Sequence, residues 1–194
     1  MKTAKRFDVR KLVLLALLTA IVVVLQSLAT ILPVYPFKLT LVLVPIVIGS
    51  ALINMMSGAW LGLVFGIIVL LSPDVAPFMT FNPAATIILV LLRGMLAGLI
   101  SGAVYKALSK MNKTVAVITA AIVCPIVNTG IFTLGIYLFF VPLISEWAAG
   151  AVSVTAFIFV VMIGVNFIIE FIINLVLSPV IVRLVQLGQD RREN

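Results

Sequence analysis

Histidine is absent from this 194-residue chain, and cysteine occurs once, at Cys124. Without histidine the chain lacks the side chain most used as a general base near neutral pH and the commonest metal ligand. A single cysteine excludes a disulfide within the chain and any Cys-x-x-Cys motif; set in an apolar run, Cys124 reads as a small core residue. Charge is scarce too. Asp, Glu, Lys and Arg make up 10% of the residues, where a soluble domain carries about a quarter. The motifs G-x-x-x-x-G-K-[ST], H-E-x-x-H and G-x-S-x-G are missing, which excludes a P-loop nucleotide site, a zinc peptidase and a hydrolase nucleophile elbow of those types. Neither catalysis, nor a metal, nor a cofactor is expected.

What is present is apolar. Hydrophobic residues make up 64% of the chain, and mean hydropathy is +1.36. One small core cannot hide so much apolar surface, so lipid must serve as solvent. The net charge of +7 invites a nucleic-acid reading, but the basic residues lie between apolar runs, where membrane topology puts them. The chain therefore reads as a single membrane domain over residues 1–194, with a basic N-terminus over 1–11 and a polar tail over 187–194.

Spanning the hydrocarbon takes about 20 apolar residues. The pattern predicts an all-α, six-transmembrane-helix bundle with helices near 12–32, 39–56, 58–72, 84–106, 115–141 and 152–186. Pro33 and Pro36 end the first, Asn54–Gly58 turns into the third, Ser72–Asn82 forms a long outer loop, and Pro142–Gly150 the last one; proline suits such breaks. The third helix is short and reads as a broken or tilted span. The sixth is long enough to tilt or protrude. The basic residues Lys2, Lys5, Arg6, Arg10 and Lys11 precede an apolar stretch too long for a signal peptide core. With Lys106, Lys110, Lys113, Arg183, Arg191 and Arg192, they place both termini in the cytoplasm under the positive-inside rule.

Polar residues inside these spans carry the functional expectations. Arg93 falls roughly 14 Å below the outer end of the fourth helix. Its planar guanidinium suits a carboxylate or phosphate, so it reads as an anchor for an anionic ligand, against an internal ion pair or a snorkelling side chain. Asn128 and Thr129 follow Pro125 near mid-depth on the fifth helix and suit either a ligand or the carbonyl that the proline frees. Asn166, Glu170 and Asn174 share one face of the sixth helix; helix–helix hydrogen bonding is favoured for the last two. Asn82 and Lys38, on the outer side, complete the candidate binding set. The 72–82 loop is either a lid or a solvated connection. Glycines recur every fourth residue at 58, 62 and 66 and at 94, 98 and 102, which predicts close helix packing.

The length, six helices, inside termini, the Ala16-x-x-x-Ala20 motif and the segment LTLVLVPIVIGSALINMMSGAWLGLVFG (39–66) together resemble the S components of energy-coupling factor (ECF) vitamin transporters. The family usually has Gly-Pro in the turn where this chain has Asn54-Met55-Met56-Ser57. The resemblance implies a substrate-binding subunit of an ABC-type importer in the bacterial plasma membrane. It would capture a vitamin from outside and work with a coupling transmembrane subunit and two ATP-binding subunits. Ala16 and Ala20 would contact the coupling subunit. A carboxylate at Arg93, with Asn128 and Asn166, suggests pantothenate first, then folate, biotin or riboflavin. Riboflavin and thiamine rank lower because their pockets want stacking aromatics, and neither Trp60 nor Trp147 is clearly placed in the pocket; Phe78, Phe81 and Phe132 are the alternative stacking partners. Two other classes compete: a solitary membrane transporter, and an MreD-like structural protein of the envelope.

Overall fold

The structure, a computed structural model, describes residues 9–31, 41–148 and 153–193. Helix α1 spans Val9–Ile31, α2 Leu43–Leu52 and α3 Met55–Leu70. A 3-10 turn, Pro73–Val75, leads into α4, Ala76–Phe81. The long helices α5 and α6 follow over Pro83–Leu108 and Lys113–Phe139, then the short α7, Val141–Trp147. A helical turn α8, Val154–Ala156, runs through a π-helical stretch, Phe157–Gly164, into α9, Val165–Glu193. Every described element is a helix.

Among the described residues, four helices are long and apolar enough to cross a membrane: Val9–Ile31, Pro83–Leu108, Lys113–Phe139 and Phe167–Leu187. A fifth results if α3 and Pro73–Phe81, bent by 76°, count as one broken span. That compares with the six spans expected. The shortfall lies in the second expected helix, which shrinks to α2. Its ten residues rise only about 15 Å, half the hydrocarbon thickness. Nine of the ten are buried, Val44 being the exception. Helix α2 is thus apolar on every side because protein surrounds it, and composition alone does not separate such a core helix from a lipid-facing one.

The helix starts follow local chemistry. Asn54 Oδ1 accepts from the Ser57 N–H at 2.9 Å, Asn112 Oδ1 from the Thr114 and Val115 N–H groups, and Ser153 Oγ from the Ala156 N–H; each satisfies a donor that a helix leaves open at its first turn. Pro125 and Pro179 sit inside α6 and α9 without ending them. At Pro179 the Leu175 carbonyl loses its usual donor, and the Ser178 hydroxyl supplies one at 2.7 Å, as an apolar environment demands.

Packing turns on the two glycine ridges, which meet face to face. A Cβ on Gly58 would lie 2.6 Å from the Gly98 carbonyl oxygen, and one on Gly66 2.9 Å from the Val90 carbonyl oxygen. Gly62 and Gly94 approach each other's carbonyls more closely still. Helices α3 and α5 are therefore in backbone contact, the arrangement that small residues make possible in lipid. On the other side of α5 the Ser101 hydroxyl donates to the Ala120 carbonyl of α6 at 3.1 Å. Cys124 is fully buried nearby, a core residue as its setting predicts. Helix α1 leans on α3, where Trp60 Nε1 donates to Thr19 Oγ1 at 3.2 Å.

Two expected loops are helical. Residues 72–82 fold into the 3-10 turn and α4, and 142–147 into α7. Both are short, and Pro73, Pro77 and Pro142 stand in their first turns. Proline breaks the preceding helix and starts the next, because its missing N–H is not needed there.

Candidate binding cavity

The outer expected loops and the far halves of the long helices enclose a cavity of about 440 Å³, within the range of small-molecule sites. Each element brings residues from the same pole of the bundle. Helix α1 gives Gln26 and Thr30 from its C-terminal end; α3 gives Phe65 and Val69. The segment after α3 gives Ser72, Asp74 and Phe78. Helix α5 gives Thr86, Leu89 and Arg93 from its N-terminal half, α6 gives Asn128, Thr129 and Phe132 from its C-terminal half, and α9 gives Phe167 and Glu170. Phe140 and Trp147 close the remaining side. The basic α5–α6 connection, with Lys106, Lys110 and Lys113, lies at the other end of the same helices.

Arg93 lines this cavity beside two aromatic rings. Its guanidinium carbon lies 4.5 Å from the Phe132 ring centroid and 6.0 Å from that of Phe65, within cation–π range. Glu170 is close enough for its charge to act on Arg93. Arg93 Nε is buried without a hydrogen-bond partner among the described residues. The same is true of Asn128 Oδ1 on α6 and Gln26 Oε1 on α1. Buried polar groups are normally partnered, and one left open costs about 1–3 kcal/mol. Three such atoms, one donor and two acceptors, belong to residues of three helices that line one cavity; a fourth, Asn174 Oδ1, lies outside its lining. The three are the polar complement of a ligand with an acceptor for Arg93 and donors for the two carboxamides.

Of the candidate residues, Arg93, Asn128 and Thr129 come together in the cavity lining. Asn82 does not: its Oδ1 accepts from the Ala85 N–H at 3.1 Å and so caps α5. Lys38 and the side chain of Asn166 lie outside the described residues. Asn174 is fully buried outside the cavity lining; its Nδ2 donates to the Glu170 carbonyl one turn back at 2.9 Å, and its Oδ1 finds no partner among the described residues. Glu170, for which helix packing was favoured, is buried and lines the cavity. Ala16 and Ala20 are exposed on the outward face of α1, while Leu18, Val22 and Gln26 form its buried face.

Of the aromatics considered for stacking, Phe78, Phe132 and Trp147 line the cavity, and Trp60 and Phe81 do not. Phe65, Phe78, Phe132, Phe140, Trp147 and Phe167 all line it. Phe78 stands edge-on to Phe132, Phe140 and Trp147, with centroids at 6.2, 5.2 and 5.5 Å. A shortage of stacking partners therefore does not count against flat ring ligands. Sequence reasoning also passed over Gln26, although it is the single carboxamide in the apolar run of α1, a signal that was there to be used.

A family model described as ECF transporter, substrate-specific component, matches residues 10–182. No match was found among curated proteins or among solved structures. The chain belongs to the family of ECF substrate-specific components: a multi-pass plasma-membrane protein that forms the substrate-binding part of an importer.

Proposed function

We propose that the chain captures a small water-soluble vitamin bearing a carboxylate, pantothenate first, from outside the cell. The observation that carries this reading is Arg93: a guanidinium beside two phenyl rings, with an open buried Nε, in the lining of a cavity of about 440 Å³. A carboxylate pairs with such a fork by charge-assisted hydrogen bonds. Pantothenate also offers hydroxyl and amide donors for Asn128, Thr129 and their neighbours. Biotin and folate share the carboxylate, and the aromatic wall favours their rings. Riboflavin fits the wall but brings no carboxylate to Arg93. The cavity pole opposite the basic α5–α6 connection supports an outward-facing site with cytoplasmic termini. The helices at 73–81 and 141–147, which bring Phe78 and Trp147 over the cavity, are placed to act as its lid.

Delivery then needs a coupling transmembrane subunit and two ATP-binding subunits, since this chain carries no P-loop. The exposed small-residue ridge of Ala16 and Ala20 on α1 is the proposed coupling surface, because close helix approach in lipid requires small side chains. Replacing both with leucine leaves pantothenate affinity within about twofold and lowers uptake at least tenfold in cells that supply the coupling module. Uptake assays with labelled pantothenate, with and without that module, check this. Undiminished uptake by the double variant removes the coupling role of the ridge, and uptake by this chain alone identifies a solitary transporter.

A further inference from the structure

We infer that Gln26 determines ligand specificity: its carboxamide oxygen accepts a hydrogen bond from an O–H or N–H donor on the ligand held at Arg93. The inference rests on the proposed binding of a carboxylate vitamin and adds a requirement to it. The ligand is an anion that also carries at least two hydrogen-bond donors, one for Gln26 and one for Asn128.

Gln26 is 7% exposed, it lines the cavity, and its Oε1 finds no partner among the described residues. The other buried residues of α1, Leu18 and Val22, are apolar and join the main core cluster. A leucine at position 26 would continue that apolar face, so packing does not call for glutamine. An open acceptor destabilises the protein on its own, and such a group fits a site that is completed from outside the chain. It reaches the cavity from a different helix: α1 carries Gln26, α5 carries Arg93 and α6 carries Asn128. Helix α1 is the least enclosed of the four long apolar helices. A ligand bonded to Gln26 therefore joins this peripheral helix to the centre of the bundle. A site built to bond a donor rejects analogues that lack it far more strongly than an apolar wall rejects a change of size.

The test uses the purified full chain, wild type and Gln26→Leu. Melting temperature is measured without vitamin and with pantothenate, biotin, folate or riboflavin, and Kd is measured for each vitamin that stabilises the wild type. The inference expects Gln26→Leu to melt at or above the wild-type temperature without vitamin and to weaken binding at least tenfold. It further expects that penalty to vanish for an O-methylated or N-methylated analogue lacking the donor. Unchanged affinity overturns the assignment. So does a lower melting temperature of the vitamin-free variant, because it shows that the amide is bonded within the protein. Should none of the four vitamins stabilise the wild type, the proposed substrates fall. The vitamin-free comparison still judges Gln26: a raised melting temperature supports an acceptor kept open for some other ligand, and a lowered one overturns it.

Discussion

Arg93→Ala abolishes vitamin binding, weakening it by about a hundredfold or more, and leaves the helical bundle intact. The size follows from what is removed. A hydrogen bond to a charged partner contributes about 1.5–3 kcal/mol, and an anion left buried without its partner adds further cost. Together these exceed the ~2.7 kcal/mol that corresponds to a hundredfold change. The fold survives because Arg93 Nε donates to nothing among the described residues. The faces of Phe65 and Phe132 stay in place in the alanine variant, while Glu170 loses the counter-charge beside it, so the variant melts below the wild type without unfolding. Arg93→Lys separates charge from geometry. Lysine keeps the positive charge but not the planar fork, so it retains part of the affinity. Calorimetric titration, with size-exclusion elution to confirm the folded state, checks both variants. Wild-type affinity in Arg93→Ala would place the ligand elsewhere.

The second large effect concerns the fold itself. Gly62→Leu yields no monodisperse protein, and Gly62→Ala yields a protein with a clearly lowered melting temperature. A Cβ at Gly62 would meet the backbone of Gly94, with its carbonyl carbon at 2.5 Å and the Met95 nitrogen at 3.1 Å. No side chain can rotate away to make room, so α3 and α5 must separate. Overpacking in a tight core costs about 1–3 kcal/mol for a methylene or two. In a bilayer the loss is felt fully, because helix association there depends on close contact rather than on burial from water. Gly130 is the internal control. Nothing lies within 4 Å of a Cβ built there, so Gly130→Ala folds and melts at or above the wild-type temperature, alanine being the better helix former. Equal behaviour of the Gly62 and Gly130 variants would mean that α3 and α5 do not touch as described.

Much of this architecture is visible in the amino-acid order, and the reasons are local. The long helices show as apolar runs, and their starts show as asparagine or serine caps at Asn54, Asn82, Asn112 and Ser153. The glycine ridges at 58–66 and 94–102 predict contact because four-residue spacing puts them on one helix face. Arg93 and Asn128 stand out because a charge or a carboxamide in an apolar helix demands a reason. What was not legible depends on partners distant along the chain. The shortness of α2 follows from enclosure by other helices. Helices at 76–81 and 141–147 arise where prolines suggested loops, since a proline that ends one helix also suits the first turn of the next. The aromatic wall joins Phe78 to Phe132, Phe140 and Trp147, residues that no sequence spacing connects. Gln26 alone was readable and passed over: one carboxamide in the apolar run of α1 is the same kind of signal as Asn128 in α6.

The central claim is that this cavity holds a carboxylate vitamin at Arg93. It is tested most directly by the melting temperature of the detergent-purified chain against a panel of water-soluble vitamins, run in parallel on the wild type and Arg93→Ala. A ligand that binds only the folded state raises apparent stability by mass action, by about 2.7 kcal/mol at a hundred times its Kd. The account predicts a clear shift of the wild type by one carboxylate-bearing vitamin, with pantothenate leading, and none in Arg93→Ala. An equal shift in both proteins, or no shift of the wild type by any vitamin, would contradict it.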